Sequence, residues 1–294
     1  MLWILFSILS ALTFALVNII DKYVITKLVK TPIIPLIFLG IIGLIVSSVV
    51  YFVQGFSPLP YIHIALALFV GFIYITYIML YYKAIQIESV SRIMPLLYLS
   101  SMFVLIFAAV FLGEVFAPIT YLGIFLMIIG AIMISFKKGA IRITSEKAFI
   151  FMIIVAFLCA VSTIIMKYLL NFADFWTIFS YIRIGSFIAI TPIFCLNFKD
   201  FSNIIKKRKK VVGVIICSRT VSLVARLLLT IALSLGYVTL VNALTSVQPF
   251  FVFLYATILS VFYPKILKEE LRKEIIGLKL IAIIMIFVGA ILII

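Results

Sequence analysis

"ALTFALVNIIDKY" at residues 11–23 and "AFLCAVSTIIMKY" at residues 156–168 agree at six of thirteen positions: Ala11/Ala156, Ala15/Ala160, Ile19/Ile164, Ile20/Ile165, Lys22/Lys167 and Tyr23/Tyr168. The match returns at the end of each half, where "GAIMI" at 130–134 is answered by "GAILI" at 289–293. Self-similarity at so long a spacing marks an internal duplication. Cutting the chain at charged and turn-forming clusters gives ten apolar runs, at 2–21, 33–53, 61–82, 89–112, 117–136, 148–170, 175–196, 211–235, 239–263 and 275–294. Each suits a helix crossing about 30 Å of hydrocarbon, which needs about 20 residues. The duplication divides them five and five, as units 1–140 and 147–294. Five is odd, so a second unit that follows the first through the membrane enters from the opposite side, and the two units are expected to be inverted. Such halves recur in secondary transporters, around a central site that opens alternately to either side.

Composition points the same way. The chain is 67% hydrophobic and 11% charged, with a mean hydropathy of +1.41, far more apolar than soluble domains. Lipid accepts such a surface provided every spanning backbone group is bonded within a helix or a closed barrel. The runs do not alternate, so an all-α, multi-pass protein of the cell membrane is expected, with the lipid bilayer as its surroundings. The opening "MLWILFSILSALTFALVNIIDK" has no basic leader region and no small-residue cleavage site, and reads as a retained first span. Cys159, Cys195 and Cys217 fall inside apolar runs without CxxC spacing, so no disulfide or metal site is suggested.

The net charge of +15 is topological rather than a face for nucleic acid. Outside the spans, Lys and Arg follow spans 1, 3, 5, 7 and 9, including the "KKRKK" at 206–210 and the group Lys265, Lys268, Arg272 and Lys273. The connections after spans 2, 4, 6 and 8, with both termini, hold only Lys167. Basic connections stay in the cytoplasm, which places both termini outside it, Lys22 on the cytoplasmic side and Lys167 on the other. As the one basic residue on the disfavoured side, Lys167 is a candidate for the mouth of a cavity.

The residues that could bind something are polar groups at membrane depth, which are costly there and serve a pathway or a partner. Arg183 lies near the middle of span 7. Arg219 and Arg226 lie in span 8, seven residues apart and about 20° from the same helical face. All nine Asp and Glu fall in connections or at span ends, and the first span offers Asn18 at depth, so the interior reads as positive. That weighs against a proton-coupled exporter of hydrophobic cations, which needs an embedded carboxylate. It suits a carboxylate or phosphate, which a guanidinium grips with two bonds. The alternative is structural: Arg219 snorkelling to the surface, with Arg183 and Arg226 bonding carbonyls between helices. Tyr74, Tyr77 and Tyr81, at i, i+3 and i+7, form one face of span 3, either a cavity wall or packing. Asn242 and Thr245 share a face of span 9 with Pro249, which frees a backbone carbonyl. Ala11 with Ala15, and Ala156 with Ala160, are small pairs that let helices approach closely. No catalytic motif is visible, so no enzyme is expected, and no cofactor is implied.

The "FLGE" at 111–114, Pro118, the "GIFLMIIGAIMI" at 123–134 and the stretch "ALSLGYVTLVNALTSVQPFFVFLYATILSVF" at 232–262 resemble the EamA-like branch of the drug/metabolite transporter superfamily. That resemblance implies ten helices in two inverted repeats and transport of a small metabolite, more often export. It also implies cytoplasmic termini, against the charge pattern, which is followed here. Combined with the arginines, the expected function is secondary transport of an amino acid or organic anion by alternating access, with an undefined coupling ion. The alternatives are a flippase for a lipid-linked substrate and a membrane sensor or scaffold without flux. A reporter active only outside the cytoplasm, fused after Ile294, is expected to be active; a silent fusion with a stable product reverses the orientation.

Overall fold

The computed structural model describes residues 1–29, 32–87, 96–135, 145–262 and 273–293. Pro95 and most of the connections at 137–147 and 264–274 lie outside the described residues, as does the Lys22 side chain. Among the described residues the chain is helical: α1 (Leu2–Tyr23), prolonged by a π-helical turn at Val24–Leu28, α2 (Ile33–Gln54), α3 (Tyr61–Ile87), α4 (Leu99–Leu112), α5 (Pro118–Ser135), α6 (Glu146–Leu169), α7 (Phe175–Leu196), α8 (Phe198–Lys207), α9 (Lys209–Leu235), α10 (Val238–Thr245), α11 (Gln248–Phe262) and α12 (Lys273–Ile293). Seven segments are long and apolar enough to cross a membrane, α10 and α11 counting together as Val238–Ser260. Three shorter apolar helices, Leu99–Leu112, Pro118–Met133 and Gly277–Ile293, accompany them.

Two elements differ from the sequence expectation. The connection after span 7 holds a helix, α8, because Phe198, Phe201, Ile204 and Ile205 recur at helical spacing among charged residues. The expected ninth span is broken into α10 and α11 at Ser246–Val247. Pro249 is the cause: it has no N–H to give, and its ring crowds the carbonyl four residues back, at Thr245.

Helix α9 packs antiparallel on α1, and α7 on α2, as the order of their contacts shows. Along α1 and α9, Trp3 meets Gly236, the Ser10 hydroxyl donates to the Ala225 carbonyl, and Asp21 meets Ser218 and Arg219. Along α2 and α7, Gly40 faces Ile190, Gly43 faces Arg183, and the Ser47 hydroxyl donates to the Ser180 carbonyl. Helix α3 runs along α6 and α7, α4 packs on α6, and α11 packs on α1. Close glycine seams join α3 to α7, where a Cβ on Gly185 would lie 2.2 Å from the Leu68 carbonyl oxygen, and α5 to α12. A Cβ on Gly289 would lie 2.5 Å from the Gly123 carbonyl oxygen, and one on Gly130 would lie 2.8 Å from that of Ala282. Only glycine permits this approach. Ala11, Ala15, Ala156 and Ala160 are all fully buried.

The outer surface is inverted relative to a soluble protein. Phe69, Phe72, Phe125, Ile129, Ile284 and Ile291 are exposed, as lipid allows. Hydroxyls in the spans turn back onto their own helix, Ser48 to Leu44, Thr76 to Phe72 and Thr191 to Phe187, each at 3.0 Å or less. These three hydroxyl donors therefore do not face hydrocarbon unpaired.

Helix α7 is started by Asp174. Its Oδ1 accepts from the Trp176 and Thr177 amides at 2.9 and 3.0 Å, and its Oδ2 from the Thr177 and Ser57 hydroxyls. The cap therefore also fastens α7 to the turn between α2 and α3. Burial alone would raise the pKa of this carboxyl, but the hydrogen bonds from Ser57, Thr177 and Trp176 outweigh it and hold it below the ordinary value. A depressed folded pKa stabilises the protein above the unfolded value and loses that contribution as the pH falls through the folded one. Asp174→Ala is expected to lower stability by about 1 kcal/mol at neutral pH. Thermal melts of wild type and variant should converge as the pH falls below the ordinary carboxylate range.

Candidate functional site

A cavity of about 200 Å³ opens between α1, α3, α4, α6, α9 and the α10–α11 break. Helix α1 contributes Phe14, Asn18 and Asp21, and α3 contributes Tyr74, Tyr77, Tyr81 and Tyr82. Cys159 and Thr163 come from α6, Arg219, Ser222 and Arg226 from α9, and Asn242, Thr245, Ser246 and Gln248 from around the break. Eight of the residues singled out from the sequence thus share one wall: Asn18, Tyr74, Tyr77, Tyr81, Arg219, Arg226, Asn242 and Thr245.

The two arginines of α9 stand in different surroundings. Arg219 forms an ion pair with Asp21 and donates to the Tyr82 hydroxyl and the Ser218 hydroxyl, each at 2.9 Å. The Ser218 hydroxyl in turn donates to Asp21 at 2.6 Å. This guanidinium is matched in charge and bonded through both terminal nitrogens, with only its buried Nε lacking a hydrogen-bond partner, and does not snorkel.

Arg226 faces no carboxylate among the described residues. It donates to the Tyr77 hydroxyl at 2.7 Å, lies 4.7 Å from the Tyr74 ring centre and 5.3 Å from that of Phe14, and its buried Nε has no hydrogen-bond partner. A guanidinium has five N–H donors to satisfy. Aromatic faces offset its charge in part, but the Arg226 charge is left without a counter-ion at the cavity wall.

Arg183 stands one layer behind. Its guanidinium carbon lies 4.3 Å from the Tyr74 ring centre, and its aliphatic stem lies over Gly43 of α2, in space that a side chain there would fill. Its Nε and Nη1 have no hydrogen-bond partners. Arg183 therefore does not line the cavity; it adds positive charge from behind Tyr74.

Lys167 does not line it either. Its Nζ donates to the carbonyls of Leu233 and Gly236 at 2.8 and 2.6 Å, which caps the C-terminus of α9. Orphan carbonyls at a helix end attract a cation in this way, and that bonding, rather than a cavity mouth, explains a basic residue in this connection. On the other side of the same turn, Glu114 accepts from the Val238 and Thr239 amides at 2.8 and 2.9 Å and caps the N-terminus of α10. Gly113, at φ +67°, ends α4 in the left-handed conformation that glycine adopts freely, and so turns Glu114 toward α10.

Two carboxylates thus depart from the expectation of a purely positive interior. Glu114 is 6% exposed and serves helix ends. Asp21 reaches the cavity wall because α1 continues through it into the π-helical turn and packs along α9. Lys279, inside the expected tenth span, is buried in α12, 3.9 Å from the Phe253 ring centre. Ser101 and Ser246 hold the α4 and α10–α11 segments together through a 3.2 Å hydroxyl contact, with Ser101 also donating to Asn242 at 3.4 Å.

The fold and the cavity define a multi-pass helical membrane protein with an arginine-bearing interior site. Residues 1–136 match the sequence profile of the EamA-like transporter family, part of the drug/metabolite transporter superfamily. That match and the membrane-crossing helices together support a membrane transporter. None of the curated proteins compared matches the sequence. A solved crystal structure, described only as that of a protein, shares the fold with a TM-score of 0.75 at 15% identity, over 99% of this chain and 97% of the other.

Removing Asp21 strands a buried cation. Asp21→Ala is expected to cost about 3–5 kcal/mol in unfolding free energy, and the double variant Asp21→Ala/Arg219→Leu distinctly less than the sum of the two single variants. Denaturation in detergent of the four proteins checks this; additive effects would show the pair to be energetically independent.

Proposed function

We propose that the chain is a secondary transporter of ten membrane-crossing helices, built as inverted units over 1–140 and 147–294, that exports a small organic anion or amino acid by alternating access. The packing supports the inversion. Exchanging the halves maps the α1–α9 contact onto α6–α3 and the α4–α6 contact onto α11–α1, while α2–α7 and α5–α12 map onto themselves. The two close approaches of the α5–α12 seam exchange as well, Gly130 with Ala282 for Gly289 with Gly123, since Gly130 and Gly289 are equivalent positions in the repeat.

The observation that supports the anionic substrate is Arg226, a guanidinium that faces no carboxylate among the described residues, at the wall of a cavity sized for a small metabolite. A carboxylate entering there completes the missing charge and hydrogen bonds, with Arg183 adding attraction through Tyr74 and with Asn18 and Asn242 available for polar groups. Arg219 is already occupied by Asp21 and contributes to the site's shape. A scaffold role would leave these arginines bonded away from any cavity, whereas Arg226 lines one.

Purified protein is expected to be stabilised against heat by small carboxylates and by amino acids from a panel that also holds sugar phosphates and organic cations. Arg226→Ala should weaken that binding by about 10-fold to 100-fold, and Arg226→Lys by less. Stabilisation by cations alone, or an unchanged affinity in Arg226→Ala, would refute the assignment.

A further inference from the structure

The cavity does not account for the basic run at 206–210. Lys206, Lys207, Arg208, Lys209 and Lys210 are consecutive and exposed at the junction of α8 and α9, and with Leu28 and Val211 they line a concave surface of about 570 Å³. Five cations side by side repel one another, so this surface is favoured only where something negative lies close to it.

The apolar residues around it say what that is. Helix α8 is held to the body of the protein by Phe201, whose ring lies 5.2 Å from that of Phe38 and 5.1 Å from that of Phe194. Beside that anchored face, Leu196, Phe198 and Ile205 are 86%, 56% and 40% exposed. A short helix with exposed apolar side chains and a basic end, immediately following a membrane-crossing helix, lies in the interface plane with its apolar residues among acyl chains and its cations at headgroup level. Free phosphate would use the lysines and leave Leu196, Phe198 and Ile205 in water; a lipid satisfies both.

We infer that the α8–α9 junction is a binding site for the phosphate headgroup of an anionic phospholipid, with the lysines on the phosphate and the exposed apolar residues of α7 and α8 against the chains. Arg208 has a separate task. Its Nη1 donates to the Leu28 carbonyl at 3.2 Å, joining the site to the π-helical turn that prolongs α1. An occupied site therefore steadies the helix that carries Asn18 and Asp21.

The test places purified protein in phosphatidylcholine nanodiscs with and without phosphatidylglycerol, and reads retained lipid by native mass spectrometry and unfolding by heat. Phosphatidylglycerol is expected to be retained preferentially and to raise the melting temperature. The quadruple variant Lys206→Gln/Lys207→Gln/Lys209→Gln/Lys210→Gln should lower its retention by at least about tenfold, because each basic residue near an anionic surface contributes attraction. The matching Lys→Arg variant should restore it. Equal retention by the Gln variant would overturn the site. So would equal stabilisation by inorganic phosphate in pure phosphatidylcholine, since that would make the ligand a soluble anion. Arg208 is kept in all variants because it holds the Leu28 carbonyl, and the lysines are exposed, so loss of folding is not the expected cause of lost binding.

Discussion

A backbone amide or carbonyl that enters hydrocarbon must find its partner within the protein, and the rest of this structure follows from how that demand is met. Among the described residues the apolar runs meet it by becoming helices. Where α9 stops and α10 begins, side chains meet it. At the α9–α10 turn, Lys167 takes the last carbonyls of one helix and Glu114 the first amides of the next. Each charge sits where the helix dipole favours it, so the turn is held by two opposite charges brought from two other helices. At Ser246–Val247 the break faces the cavity instead, where irregular backbone is tolerated.

The cavity inherits its chemistry from that geometry. Because α1 packs antiparallel on α9, Asp21 near the end of one comes level with Arg219 on the other, while Arg226, two turns further along, faces the aromatic side chains Phe14, Tyr74 and Tyr77. One guanidinium is paired with a carboxylate, and the other faces none among the described residues. Tyr74 sits between the cavity and Arg183, so a second positive charge acts on the site without touching it.

Some of this could be read from the residues and some could not. Span positions follow from the lengths of apolar runs, and the Tyr74, Tyr77 and Tyr81 stripe follows from helical spacing, because both are local periodicities. The seven-residue spacing of Arg219 and Arg226 likewise predicts one shared face. Their different surroundings are set by α1 and α3, far away in sequence, and no local pattern carries that. Lys167 and Glu114 look like misplaced interface charges until the α9–α10 turn is seen between them, although the glycine before Glu114 hinted at a turn that aims it. Asp21 beside Lys22 reads as the end of a span, and only the π-helical continuation of α1 makes it part of the interior. The break at Ser246–Val247 was signalled by Pro249 alone.

The glycine seam between α5 and α12 bears on which parts of the molecule can move. Where backbone touches backbone there are no side chains to change rotamer, so the two helices cannot slide to a second packing without pulling carbonyls apart over their whole contact. Neither helix supplies a residue to the cavity. They form a strut, set apart from the helices that line the cavity.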